Sequence, residues 1–111
     1  EPGGLVVVGW GSTYGTLHKA VRDCIRDGIP VAQVHLRHLN PLPKNLAALL
    51  ARFDAILVAE LNTGQLATVL RDKLGVQVHQ FNQVSGQPFT VADVRRAIQV
   101  HAKVPMREVR P

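Results

Sequence analysis

Gly9-x-Gly11 directly follows an apolar run, and glycines placed in that way cradle phosphates in dinucleotide-binding folds. That fingerprint needs its third glycine at position 14, where this chain carries Tyr14; the next glycine is Gly15. At the end of the second apolar run, where a carboxylate would hold a ribose, stand Arg37 and His38. The fit to a nucleotide site is therefore incomplete. No Gly-Lys-Ser/Thr follows the glycines, which excludes a P-loop. His35 and His38 lie three apart across a strand end, with Glu60 a possible neighbour, but a metal site needs three or four converging ligands. His18, His79 and His101 fall on separate elements, so hydrogen-bonded, partly buried histidines are the better reading. Cys24 sits on the apolar stripe of a helix and reads as core packing rather than as a nucleophile. Glu60-Leu-Asn62 is more pointed, because a carboxylate ending an apolar strand is costly to bury unless it is paired or hydrogen-bonded. Glu60 could bind a ligand, act as a base, or anchor its corner by accepting backbone N–H bonds from the loop after Gly9. The anchoring role is favoured. No residue is assigned as catalytic, cofactor-binding or metal-ligating.

These residues need a scaffold, and the chain supplies one. Leu5–Val8 and Ala55–Ala59 are apolar throughout, as strands buried on both faces of a parallel sheet are. Val31–Leu36 and Val76–Gln80 are more mixed and belong nearer the edges. A helix from about Tyr14 places Tyr14, Leu17, His18, Val21, Cys24 and Ile25 on one stripe, with Lys19, Arg22, Asp23, Arg26 and Asp27 opposite. Ser12 or Thr13 can cap it, Gly28 suits its C′ position, and Pro30 blocks its continuation. Leu46, Leu49, Leu50 and Phe53 mark a second helix over about 43–52. Leu66, Ala67, Leu70 and Leu74 mark a third, capped by Thr63 and closed by Gly75. Thr90 and Asp93 form a capping-box-like pair for a fourth helix reaching about His101, with Phe89 and Val94 as a hydrophobic staple. Strand–helix alternation at this spacing predicts a three-layer α/β/α sandwich with a mainly parallel sheet of order 2-1-3-4. Its switch point lies between the Gly9 and Glu60 corners.

One domain of 111 residues can bury a core without disulfides or metals. The division is residues 1–4 as a linker or artificial boundary, 5–102 as the α/β domain and 103–111 as a basic tail. The opening Glu1-Pro2-Gly3-Gly4 makes the chain read as a piece of something longer. A single cysteine suits a reducing cytoplasm, and no apolar run is long enough to span a bilayer. The net charge is +5, of which +3 falls in residues 91–111. The bases are scattered without interleaved aromatics for stacking, so neither nucleic acid nor a membrane is an expected partner.

Three corners in order, Val8-Gly-Trp-Gly-Ser-Thr-Tyr-Gly15, Leu36-Arg-His-Leu-Asn-Pro-Leu-Pro43 and Val58-Ala-Glu-Leu-Asn-Thr-Gly-Gln-Leu66, carry a family resemblance. Phe81-Asn-Gln-Val-Ser-Gly-Gln-Pro-Phe89 adds a closing turn. Together, over about residues 4–100, they resemble the C-terminal domain of the alpha subunit of 2-oxoacid:ferredoxin oxidoreductases, particularly the 2-oxoglutarate type. The wider relatives are the C-terminal domains of transketolase and of the beta subunits of 2-oxoacid dehydrogenases. The resemblance implies a transketolase C-terminal-like fold in an oligomeric enzyme that converts a 2-oxoacid and CoA to acyl-CoA and CO2, passing electrons to ferredoxin. It implies that thiamine diphosphate, Mg and an iron–sulfur cluster belong to other domains and subunits. This chain has no Gly-Asp-Gly with a following Asn pair, and one cysteine cannot ligate a cluster. The implied partners are the other alpha-subunit domains and a beta subunit. Trp10, Ser12, Arg37, His38, Asn40, Glu60 and Asn62 carry over as corner or interface positions. The rival reading is a stand-alone flavodoxin-like binding or regulatory module, with an anion at the helix start near Gly11–Tyr14.

Overall fold

The structure, a computed structural model, describes residues 4–10, 14–36, 44–60, 65–82 and 90–102. Four strands, β1 (Leu5–Trp10), β2 (Val31–Leu36), β3 (Ala55–Glu60) and β4 (His79–Asn82), form one sheet of order β2-β1-β3-β4. Every pairing is parallel, with Val8 opposite both Val34 and Val58. The two apolar runs are the central strands, as expected of strands covered on both faces.

Strand alternation sends side chains to two separate cores. Leu5, Val7, Val31, Leu57 and Ala59 face α1 (Tyr14–Arg26) and α4 (Val91–His101), meeting Leu17, Ala20, Cys24, Val94 and Ile98. Val6, Val8, Leu36, Ile56 and Val58 face α2 (Leu46–Leu50) and α3 (Gln65–Leu74), meeting Leu46, Leu50, Leu66, Ala67 and Leu70. The three-layer sandwich and its strand order are those the sequence predicts.

Local details differ from expectation at four places. The buried stripe of α1 is rotated, so that Asp23 is 9% exposed whereas Tyr14 and Ile25 are 48% and 53% exposed. Packing of α4 along that flank turns Leu17, Ala20, Val21 and Cys24 inward, and Asp23 is held by Lys19 at 3.5 Å and Arg26 at 3.3 Å. Helix α2 ends at Leu50: the Ala51 N–H still reaches Ala47, but Arg52 and Phe53 bond only three residues back, to Leu49 and Leu50, and the Gly4 carbonyl then takes the Asp54 N–H at 2.8 Å. β3 itself runs one residue further than its apolar segment and includes Glu60. β4 begins at His79 rather than Val76: Val76 and Val78 are half-buried against the α3-side core, but the ladder starts only where His79 meets Leu57.

The helix ends follow their residues. Gly28 has φ +87°; the Gly28 N–H donates to Ile25 and the Ile29 N–H to Cys24, the double bond of a Schellman cap, with Ile29 buried beneath. Gly75 closes α3 with φ +68°. Thr90 caps α4, its hydroxyl oxygen accepting the Asp93 N–H at 3.0 Å. Thr63 and Phe89 lie outside the described residues.

Candidate functional site

The corner at the carboxyl ends of β1 and β3 is built around Glu60. Alternation puts Glu60 on the α3 side of the sheet, where it is 1% exposed. Its Oε1 accepts the Leu66 N–H at 2.7 Å and its Oε2 accepts the Ala67 N–H at 3.0 Å, so the carboxylate covers the open N-terminus of α3. Those first-turn N–H groups have no partner within the helix, and the positive end of the helix dipole favours an anion. The Trp10 indole Nε1–H also donates to Glu60 Oε1, at 3.1 Å. Trp10 and Glu60 each lie two residues beyond the last β1–β3 pair, Val8 with Val58, so equal offsets bring them together.

This is an anchor rather than an open acid or base. The sequence expects donors from the loop after Gly9, whose residues 11–13 lie outside the described ones; among the described residues the donors come from α3 and from Trp10. Trp10 is half-buried and packs against the α3-side core. Ser12, Arg37, His38, Asn40 and Asn62 lie outside the described residues.

A second constellation stands on the other face. β2 turns Gln33 and His35 toward α1, opposite Tyr14 and His18. The Tyr14 ring stacks on His18 with centroids 5.3 Å apart and meets His35 edge-on at 5.2 Å. His18 Nδ1 lies 3.3 Å from Gln33 Oε1, while Gln33 Nε2 and His35 Nδ1 are buried with no partner among the described residues. The cluster lines one end of a cavity of about 700 Å³ that continues past Val21 and Ile25 to Ile29–Ala32. Tyr14 and His18 were legible only as members of an apolar stripe. The signal that would have found the cluster is that residues 31, 33 and 35 share the face of β2 that α1 covers. His35 and Glu60 accordingly sit on opposite faces of the sheet and cannot share a ligand.

Comparison with known proteins places this geometry. A family model described as pyruvate:ferredoxin oxidoreductase core domain II matches residues 4–103. The chain belongs to that family. Core domain II is here 44% identical over 95 residues to the 2-oxoglutarate oxidoreductase subunit KorA of Mycobacterium tuberculosis (strain ATCC 25618 / H37Rv), covering 86% of this chain and 14% of that protein. It is 32% identical over 85 residues to subunit alpha of the 2-oxoacid:ferredoxin oxidoreductase 1 of Aeropyrum pernix, covering 73% of this chain and 13% of that one. The chain thus spans about one seventh of the curated relatives it matches. Among solved structures it resembles the 2-oxoglutarate:ferredoxin oxidoreductase from Magnetococcus marinus, with a TM-score of 0.84 at 24% identity, over 89% of this chain and 18% of that one. It also resembles a split-gene transketolase, with a TM-score of 0.71 at 21% identity, over 92% and 39% of the respective chains. At those identities the two structures speak for the fold, which the domain shares with transketolase.

Among the described residues no three His, Cys, Asp or Glu side chains converge, and the buried carboxylate of Glu60 is engaged by three donors. An iron–sulfur cluster needs thiolates; the one cysteine, Cys24, is fully buried, and that burial pushes its thiol pKa up, against a partly offsetting pull from Arg95. Among the described residues no helix is long and apolar enough to cross a membrane.

Proposed function

We propose that this core domain II is a structural and assembly unit of a thiamine diphosphate-dependent 2-oxoacid:ferredoxin oxidoreductase whose oxoacid is 2-oxoglutarate. The complete enzyme converts the 2-oxoacid and CoA to acyl-CoA and CO2 and delivers electrons to ferredoxin. Thiamine diphosphate, Mg and the iron–sulfur cluster are held by other domains and subunits, and this domain docks on the rest of the alpha subunit and on a beta subunit, in the cytoplasm. The observation that carries the structural role is the committed state of Glu60: both carboxylate oxygens are engaged inside the domain, joining strand to helix. The choice of oxoacid is supported by the 44% identity to the KorA subunit. Family membership favours this reading over a stand-alone flavodoxin-like module.

The test is to purify the full-length protein containing this domain together with its partner subunit and to follow ferredoxin reduction. Rapid, CoA-dependent reduction with 2-oxoglutarate, and much slower reduction with pyruvate, is the expected outcome. A preference for pyruvate would remove the substrate assignment, and failure to oxidise any 2-oxoacid would remove the proposal.

A further inference from the structure

His79 on β4 and His101 at the end of α4 stack face to face, with ring centroids 4.4 Å apart and planes inclined by 25°. This contact joins the last residue of α4 to an edge strand only four residues long. Nothing assigned to the domain so far uses either ring. We propose that the pair is a pH-sensitive latch, which holds the C-terminal turn of α4 on β4 while the rings are uncharged and releases it when both are protonated.

Two imidazoles at stacking distance attract as flat, polarisable rings when neutral but repel when both carry charge. His79 is exposed and His101 half-buried, so water screens part of that repulsion, but among the described residues no carboxylate pairs with either ring. α4 packs against α1, β1 and β3 as well as lying beside β4. β1 and β3 present Leu5, Val7, Leu57 and Ala59 to that side, all apolar. The acidic groups of α1 and of the residue that follows it are engaged elsewhere: Asp23 with Lys19 and Arg26, and Asp27 with Arg95. On α4 itself Asp93 pairs with Arg96. Among the described residues, the charged group whose field reaches His101 is therefore His79. Burial and that field both hold the His101 pKa below the ordinary histidine value. A histidine whose folded pKa lies below its unfolded one stabilises the docked form above the unfolded pKa, and that stabilisation is lost as pH falls through the folded pKa. The opening is therefore an acid-side event, beginning below the usual histidine range near pH 6.5.

Hydrogen exchange on this 111-residue chain between pH 8 and 5, corrected for intrinsic rates, reads the latch directly. Amides of residues 99–102 should lose protection several-fold toward pH 5 while those of α1 hold theirs. The His101→Phe variant keeps a ring against His79 but cannot acquire a second charge, so its α4 protection should become flat across the same range. NMR titration of the two imidazoles in the unmodified chain supplies a readout that does not depend on any variant folding. Coupled titration, with the second proton bound at distinctly lower pH than the first, supports the latch. Independent titration, or α4 protection unchanged down to pH 5, overturns it.

Discussion

The Trp10 indole N–H and the first turn of α3 share one acceptor: Glu60 takes Trp10 Nε1 at 3.1 Å, the Leu66 N–H at 2.7 Å and the Ala67 N–H at 3.0 Å. One buried carboxylate thereby joins β1, β3 and α3 at the carboxyl end of the sheet. Carboxylates at helix N-termini are common, but they usually come from the residue just before the helix. Here the carboxylate arrives from the strand, so the entry of α3 is tied to the sheet itself.

Replacing Glu60 by Ala should therefore destabilise the domain more than loss of an ordinary cap. Three donors would lose their acceptor at once in a buried place, a cost of about 3–5 kcal/mol by analogy with broken buried ionic networks. Glu60→Gln retains one acceptor but turns an amide NH2 toward backbone N–H groups, and should cost about 1–3 kcal/mol. Urea denaturation of the two variants checks both the size and the order. Equal stability of Glu60→Ala and the parent chain would show that the carboxylate is held for something other than structure.

Trp10 separates two roles in one side chain. Trp10→Phe keeps an aromatic body against the α3-side core and removes only the N–H that reaches Glu60. Because that acceptor is charged, the loss should be about 1.5–3 kcal/mol. A double-mutant cycle of Trp10→Phe with Glu60→Gln measures the coupling between them, and a coupling near zero would show that the 3.1 Å contact carries no stability.

The strand order and the two central strands were legible because short uninterrupted apolar runs bounded by turn residues fit strands buried on both sides, and Leu5–Val8 and Ala55–Ala59 are such runs. The Thr90 cap and the Gly28 stop were legible for a local reason: each is decided within five or six residues. The Glu60 bonds were half legible. The cost of burying a carboxylate announced that partners exist, whereas their identity depends on where α3 begins in space. The Trp10 contact was not legible, because the glycines flanking Trp10 say nothing about a residue 50 positions away. Asp23 shows the limit of helical periodicity, since a neighbouring helix decides which flank of α1 is covered.

The start of α4 gives a prediction that also depends on pH. The Thr90 hydroxyl beside Asp93, and Arg96 at 3.1 Å, hold the Asp93 carboxyl below the ordinary aspartate range. A carboxyl depressed in the folded state contributes stability above its unfolded pKa and loses it as pH falls through the folded one. Thr90→Ala removes the cap to the Asp93 N–H and should cost about 1 kcal/mol at neutral pH. That deficit should shrink below pH 4, where the parent chain loses the Asp93 contribution as well. Parallel urea titrations at pH 7 and pH 3 decide the matter; a deficit that stayed constant would show that Asp93 takes no part.

Gly28 tests a backbone requirement rather than a contact. A Cβ added there would meet nothing within 4 Å, so any cost of Gly28→Ala reflects the φ of +87° alone. The left-handed conformation costs an ordinary residue about 1–2 kcal/mol. Thermal unfolding should register a loss of that size, with Gly28→Asn falling between Ala and the parent because asparagine tolerates this region better. No loss in either variant would mean that the chain leaves α1 by another route.

The assembly role makes its sharpest prediction at Arg37. Arg37 follows directly on Leu36, the last residue of β2, and opens the stretch to Pro43 that resembles the family's second corner. A guanidinium can engage a partner's carboxylate through two parallel hydrogen bonds, and the prolines that follow it in sequence restrict the chain and so lower the ordering cost of docking. Arg37→Ala should weaken association of this domain with the rest of the oxidoreductase by about 1–3 kcal/mol if the residue is a hot spot. Folding of the isolated chain should be unchanged. Trp10 provides the control, because its tie to Glu60 predicts that Trp10→Ala lowers the stability of the isolated chain whatever it does to assembly. Analytical ultracentrifugation of the full-length complex, set beside urea denaturation of this chain, separates the two effects. Unfolding of the isolated Arg37→Ala chain, with assembly of the surviving folded protein unaltered, would make Arg37 an internal brace and end the interface reading of that corner.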